Sequence, residues 1–186
     1  MCNFAPSKKY EEQFMKKFIT TVLFLGVLFS SQPELFSSKV SGSTLETAIE
    51  KIQKNNFRGA LKDLNIAVNE DSKNPEVYYY RAVAFLNLKR NQQAIEDLSV
   101  AIALQHKTAK YFYLRAIAYA EQDDLQLAYR DMVSAIEIEE NDADYFLLRA
   151  QIEIALNYMM DAVQDLEKAA ELGSLKAKDL LKRYNS

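Results

Sequence analysis

Apolar and polar residues alternate with the period of a helix through most of residues 41–176. Two apolar stretches at about 75–88 and 91–104 each have the spacing expected of a helix with one buried face. The polar letters KRN at 89–91 separate them, and Pro75 suits a first helical turn, where its missing N–H costs little. The pattern therefore predicts a helix, a tight turn and a second helix.

This arrangement recurs along the chain at one constant spacing. The segments 78–86, 112–120 and 146–154 each place aromatic residues before an Arg-Ala pair and an apolar stretch. Five columns keep their character in all four copies: Ala48, Ala82, Ala116, Ala150; Ala60, Ala94, Ala128, Ala162; Ala67, Ala101, Ala135, Ala169; Asp63, Asp97, Asp131, Asp165; and Leu64, Leu98, Met132, Leu166. Because small side chains let helices approach closely, the alanine columns predict the places where helices cross.

The spacing of the copies and the offsets between the alanine columns resemble the tetratricopeptide repeat, whose period is about 34 residues. The aromatic positions of that repeat hold Tyr78, Phe112, Phe146, Phe85 and Tyr119. The first copy departs from the pattern with Thr44 and Lys51, and the fourth has Glu153 in place of an aromatic residue. The resemblance implies an all-α, right-handed superhelical solenoid of four helix-turn-helix repeats with a C-terminal capping helix. The expected ranges are 41–74, 75–108, 109–142 and 143–176 for the repeats and 177–186 for the cap.

The residues before the repeats have a different composition. Positions 15–29 read MKKFITTVLFLGVLF, two lysines followed by an apolar run, which is typical of a secretory signal peptide. The run is shorter than the ~20 residues that span a bilayer. We expect residues 15–40 to be a signal peptide or an uncleaved membrane anchor, and the protein to be periplasmic or otherwise extracytoplasmic. Residues 1–14 are a leader that is not translated if Met15 is the true start.

Charge and composition argue against several classes of function. The chain has 23 basic and 26 acidic residues and a net charge of −3, so nucleic acid is not an expected partner. Its single cysteine, Cys2, rules out cysteine-based zinc sites, and its single histidine, His106, lies in a turn. No glycine-rich phosphate loop is present. We therefore predict no catalytic, cofactor-binding or metal site, and no enzyme.

The resemblance implies that the first helices of successive repeats line a concave groove. The positions expected to face it are Tyr79, Tyr80, Val83, Tyr113, Leu114, Ile117, Leu147, Leu148 and Gln151. An apolar, tyrosine-rich strip of this kind suits a peptide segment, although single members could belong to the core instead. One subclass of the family clamps a C-terminal carboxylate with Lys and Asn, but here those columns of the first copy hold Leu45 and Ile49. We predict a protein-interaction adaptor or scaffold; the alternative is an array that self-associates through its ends.

The arginine column is unusual because the repeat has an apolar residue there. Arg81, Arg115 and Arg149 are either ligand-binding cations or partners of aspartates, in their own copy or in the copy before. The first copy has Thr47 at this column, and it is the copy with no repeat before it. This favours pairing with the preceding repeat. The predicted structural pairs are Asp63–Arg81, Asp97–Arg115, Asp131–Arg149 and Asp165–Arg183.

Overall fold

The structure is a computed structural model, and it describes residues 43–184. The predicted leader at 1–14 and the predicted signal peptide or anchor at 15–40 lie outside the described residues, as do residues 185–186 at the end of the predicted cap.

Nine helices and the short turns between them make up residues 43–184. They are α1 (Thr44–Gln53), α2 (Phe57–Glu70), α3 (Pro75–Asn87), α4 (Asn91–Leu104), α5 (Ala109–Glu121), α6 (Leu125–Ile138), α7 (Ala143–Ala155), α8 (Met159–Glu171) and α9 (Leu175–Tyr184). Two helices fall in each copy of the repeat, and α9 follows the last pair. The all-α solenoid of four helical pairs with a terminal helix is therefore confirmed.

Several first helices begin at a side chain that bonds free backbone N–H groups. The Ser43 hydroxyl accepts from the N–H of Glu46, and the Glu46 carboxylate accepts from the N–H of Ser43, which is a capping box at α1. Asn74 accepts from the N–H of Glu76 and precedes Pro75, and Asp142 caps α7 in the same way. These caps explain why α1, α3 and α7 start where they do.

The turns inside the four pairs share one backbone conformation. A residue with a positive φ of 56–67° follows the first helix at the equivalent position of every copy: Asn55, Lys89, Asp123 and Asn157. The next N–H then donates to the carbonyl five residues earlier, as Arg90 does to Phe85 at 2.9 Å. This bond to a carbonyl of the last turn is typical of a helix C-terminus closed by a residue in the left-handed conformation. Gly173, with φ 103°, ends α8 by the same arrangement.

The core consists of the alanine columns and the large residues between them. All twelve alanines in the three columns are 0–3 % exposed, and Leu64, Leu98, Met132 and Leu166 are fully buried. Small side chains thus let the two helices of each pair cross closely, and one large side chain per copy fills the remaining space. The last pair is covered by α9, which buries Ala177 and Leu180 and begins two residues before the predicted start of the cap.

Successive pairs stack so that one side of the array is formed by the first helices. Each helix packs on its neighbours in the chain, and in addition α1 contacts α3 and α3 contacts α5. We call the side formed by α1, α3, α5 and α7 the inner face. Each pair thereby covers the apolar surface of the pair before it, which no single pair could bury.

Candidate functional site

The predicted groove residues differ in how accessible they are. Tyr79, Tyr80 and Tyr113 are partly exposed on α3 and α5. The five aliphatic positions of the prediction are 5–7 % exposed: Val83, Leu114, Ile117, Leu147 and Leu148. Tyrosine therefore supplies the accessible part of the predicted strip. Whether the strip binds a peptide stays a prediction.

Two tyrosines that the sequence analysis did not select complete this part of the inner face. The Tyr79 ring lies 5.5 Å from Tyr111, and the Tyr113 ring lies 5.0 Å from Tyr145, measured between ring centroids. Tyr111 and Tyr145 are buried and occupy the same position of successive repeats. That recurrence was visible in the sequence, but the contact joins two neighbouring helices and could not be read from one helix alone. We call Tyr79–Tyr111 the first tyrosine pair and Tyr113–Tyr145 the second.

Each tyrosine pair lies beside charged side chains. The Lys110 ammonium is 4.6 Å from the centre of the Tyr79 ring and 3.9 Å from a carboxylate oxygen of Glu76. Burial raises the pKa of Tyr79 to about 12, with further contributions from Tyr80, Tyr111 and Glu76. A phenol hydroxyl can both donate and accept a hydrogen bond.

The second pair has acidic neighbours. Burial is the main cause of the raised pKa values of Tyr113 and Tyr145. The next largest causes are the negative charges of Asp144 and Asp142 for Tyr113, and of Glu139 and Asp142 for Tyr145. Three carboxylates thus act on one aromatic pair, which makes its surroundings electronegative.

The predicted register of the Arg–Asp pairs is wrong. Arg81 donates from Nε and Nη2 to the two carboxylate oxygens of Asp97, both at 2.7 Å. Arg115 and Asp131 make the same bidentate contact, both bonds at 2.8 Å, and Arg149 and Asp165 make theirs at 2.6 and 2.8 Å. The proposed pairs Asp63–Arg81, Asp97–Arg115 and Asp131–Arg149 are replaced by pairs within one repeat. The fourth proposed pair, Asp165–Arg183, stays a prediction, although Asp165 already bonds Arg149. The reason is the tight turn, which brings the arginine and aspartate columns of one copy face to face across its two helices.

The first copy shows why the sequence argument failed. Asp63 has no Arg in its own repeat, yet it is not without partners: Thr47 Oγ1 donates to it at 3.1 Å and Lys51 Nζ at 2.5 Å. Thr47 stands at the arginine column, and Lys51 reaches the same carboxylate from one turn further along α1. The absence of an arginine from the first copy is therefore no evidence that Asp63 pairs with the next repeat.

The arginines do connect neighbouring repeats, through a different atom. The third donor, Nη1, bonds Asn65 Oδ1 at 3.1 Å from Arg81 and Ser99 Oγ at 2.9 Å from Arg115, both on the second helix of the preceding repeat. The third copy has Val133 at this column, whose side chain accepts no hydrogen bond. The aspartates that pair with these arginines are only 5–6 % exposed. Arg replaces an apolar residue at this column because its planar guanidinium can bond both oxygens of such a buried carboxylate.

The fourth copy contains two buried polar residues without full hydrogen bonding. Glu153 is 2 % exposed; its Oε1 lies 3.8 Å from Arg149 Nε, and within residues 43–184 its Oε2 has no hydrogen-bond partner. Gln151 is 4 % exposed, and neither of its amide atoms is hydrogen-bonded to a residue that the structure describes. Burial, followed by the charge of Asp165, raises the pKa of Glu153 to about 8. Its surroundings therefore favour the protonated form of this carboxyl.

Within residues 43–184 no group of three or more His, Cys, Asp or Glu side chains has the arrangement of a metal site. In the same part of the chain, each helix is either too short or too polar to cross a bilayer.

Comparison with known proteins identifies the fold. No protein-family profile matches the sequence, and no curated protein is significantly similar to it. Among solved structures, MamA is similar over 68% of this chain and 74% of its own, with 21% identity and a TM-score of 0.65. The first tetratricopeptide domain of Spaghetti (RPAP3), bound to the HSP90 peptide SRMEEVD, is similar over 61% of this chain and 90% of its own, with 24% identity and a TM-score of 0.60.

A third similar structure is YrrB, described as a tetratricopeptide protein with an unusual peptide-binding site. It covers 70% of this chain and 67% of its own, with 17% identity and a TM-score of 0.64. At these identities the likeness is one of fold, and it agrees with the repeat period of the sequence.

Proposed function

We propose that this chain, a tetratricopeptide repeat protein in sequence pattern and in fold, is an adaptor that binds a segment of a partner protein along the tyrosines of its inner face. The observation that carries the proposal is the presence of partly exposed tyrosines on two successive first helices, each backed by a buried tyrosine. A ring held in place by another ring loses little freedom when it is covered, and tyrosine offers both apolar area and a hydroxyl.

The solved structures support the proposal at the level of the fold. The RPAP3 domain is described with a bound peptide and YrrB with a peptide-binding site. The fold is thus one on which peptides bind, although site residues have to be argued from each chain separately.

We expect the double substitution Tyr79→Ala with Tyr113→Ala to weaken peptide binding at least about thirtyfold, since removing even one aromatic anchor typically costs ~2 kcal/mol or more. The peptide is obtained by panning a library of random dodecapeptides, displayed on phage, against the full chain. Binding is then measured by fluorescence anisotropy, and helicity by circular dichroism.

Tyr158→Ala is the matched control, because Tyr158 is an exposed tyrosine at the start of α8, a second helix. Unchanged affinity of the doubly substituted protein, with helicity retained, would place the binding surface elsewhere. Failure of the panning to enrich any peptide would count against the adaptor function itself.

A second candidate function is self-association, and it has its own observation. Several large apolar side chains are exposed outside the inner face. Four of them lie at positions that recur in successive repeats: Ile66 and Val100 share one repeat position, and Leu104 and Ile138 share another. Met160 and Leu175, near the C-terminal end of the array, are 81% and 75% exposed. Light scattering over a range of concentrations separates the two functions, because an adaptor without its partner stays monomeric.

Export to an extracytoplasmic compartment is part of the proposal and rests on residues 15–29 alone. A fusion of residues 15–42 to alkaline phosphatase, which is active only outside the cytoplasm, should give activity, because a charged start and an apolar run direct secretion. Leu23→Arg with Leu25→Arg should abolish the activity by interrupting the apolar run. An inactive parental fusion that is present in normal amounts would argue against export.

A further inference from the structure

The two tyrosine pairs occupy equivalent positions in successive repeats. In each pair, a partly exposed tyrosine on one first helix contacts a buried tyrosine on the next first helix. The centroid distances are 5.5 and 5.0 Å and the ring planes are inclined by 42° and 35°. The repeat therefore builds the same aromatic pair twice, and differences around the two pairs can be compared position by position.

The first pair holds a cation that belongs to the chain itself. The Lys110 ammonium lies 4.6 Å from the Tyr79 centroid and 5.7 Å from the Tyr111 centroid. This is the distance at which a cation is attracted by the face of an aromatic ring. A carboxylate oxygen of Glu76 lies 3.9 Å from the same ammonium. The ammonium lies nearer to Tyr79, the more exposed ring, and the buried Tyr111 ring packs against Tyr79.

The second pair has the opposite charge at the equivalent place. The residue that corresponds to Lys110 in the next repeat is Asp144, which is exposed in the first turn of α7. Asp142, whose carboxylate caps the same helix, lies beside it, and Lys176 of α9 is a cation whose charge also acts on Asp144. In the second pair the partly exposed ring thus has carboxylates as neighbours. In the first pair the partly exposed ring has an ammonium there.

From this comparison we infer that the second tyrosine pair receives a lysine or arginine side chain of the bound segment, which lies on the Tyr113 ring and pairs with Asp144. The incoming cation takes the place that Lys110 takes in the repeat before. The inference rests on the adaptor function proposed above and specifies the chemistry of the partner segment as basic. An acidic segment would be repelled by Asp142 and Asp144.

The dodecapeptide panning described above also tests this inference. We expect the enriched peptides to share at least one Lys or Arg, and its replacement by Met in a synthetic peptide to weaken binding about tenfold, as loss of a partly exposed cation–π contact and an exposed ion pair together would. Enrichment of peptides without a basic residue would overturn the inference and leave the adaptor function standing. Enrichment of no peptide would overturn both.

Substitutions in the protein locate the site. Asp144→Lys should weaken binding of the basic peptide at least about tenfold, because it places in the second pair the cation that Lys110 supplies in the first. Asp161→Lys is the matched control, since it reverses an exposed acidic residue in the first turn of α8. Asp144→Asn is a milder change that keeps the helix start and should give an intermediate loss. Equal affinities for Asp144→Lys and Asp161→Lys would overturn the assignment of the cation to this site.

Discussion

Replacing Arg115 with Ala is expected to lower the free energy of unfolding by about 3 kcal/mol. The substitution removes both bonds to Asp131, which is 6 % exposed, and the bond to Ser99 of the preceding repeat. A buried carboxylate without its cation is costly because water cannot replace the lost partner. Urea unfolding followed by circular dichroism measures the change.

Double-mutant cycles decide which aspartate is the partner. Arg115→Ala with Asp131→Ala should cost clearly less than the sum of the single changes, because both remove the same bidentate contact. Arg115→Ala with Asp97→Ala should be close to additive, because Asp97 is bonded to Arg81. Coupling in the second cycle and additivity in the first would restore the register predicted from sequence. Arg115→Met with Asp131→Leu, which leaves no buried charge, should recover most of the stability.

Glu153→Gln is expected to stabilise the protein increasingly as the pH rises. The carboxyl has an ordinary pKa of 4.5 and a pKa of about 8 in the fold, so the folded chain binds a proton that the unfolded chain releases. Its contribution to stability is complete below about pH 4.5 and is lost as the pH rises to about 8. Gln carries no such proton, so the difference between variant and parent should reach on the order of 3 kcal/mol near pH 8.

The groups around Glu153 determine that its pKa is raised and that the fold loses stability as the pH rises. Burial and the charges of Asp165 and Asp161 on α8 raise its pKa, and Arg149 on its own helix lowers it. The measurement is urea unfolding of both proteins from about pH 5 to about pH 8. Glu137→Gln, on the exposed side of α6, is the matched control. Parallel stability curves for Glu153→Gln and the parent would show that this carboxyl ionises normally in the fold.

The fold could be predicted from sequence because its information is local and repeated. Apolar side chains three and four residues apart indicate a helix. An alanine that all four copies keep at one position indicates a helix crossing. Ala94 and Ala128, for example, are fully buried where the columns predicted a crossing. The helices α3 and α4 agree with the predicted stretches within one residue. The solenoid then follows, because a single pair cannot bury its own apolar side.

The partners of the side chains were decided by the tertiary structure. In a perfect repeat every fixed offset recurs in every copy, so an arginine is as regularly spaced from the aspartate of its own copy as from that of the copy before. Only the crossing of the two helices in a pair brings Arg81 to Asp97, and only the stacking of first helices brings Tyr79 to Tyr111. The same stacking buries Glu153 at a position that holds an aromatic residue in the second and third copies. Periodicity along the chain thus determined which elements form, and the angles and distances between helices determined which residues meet.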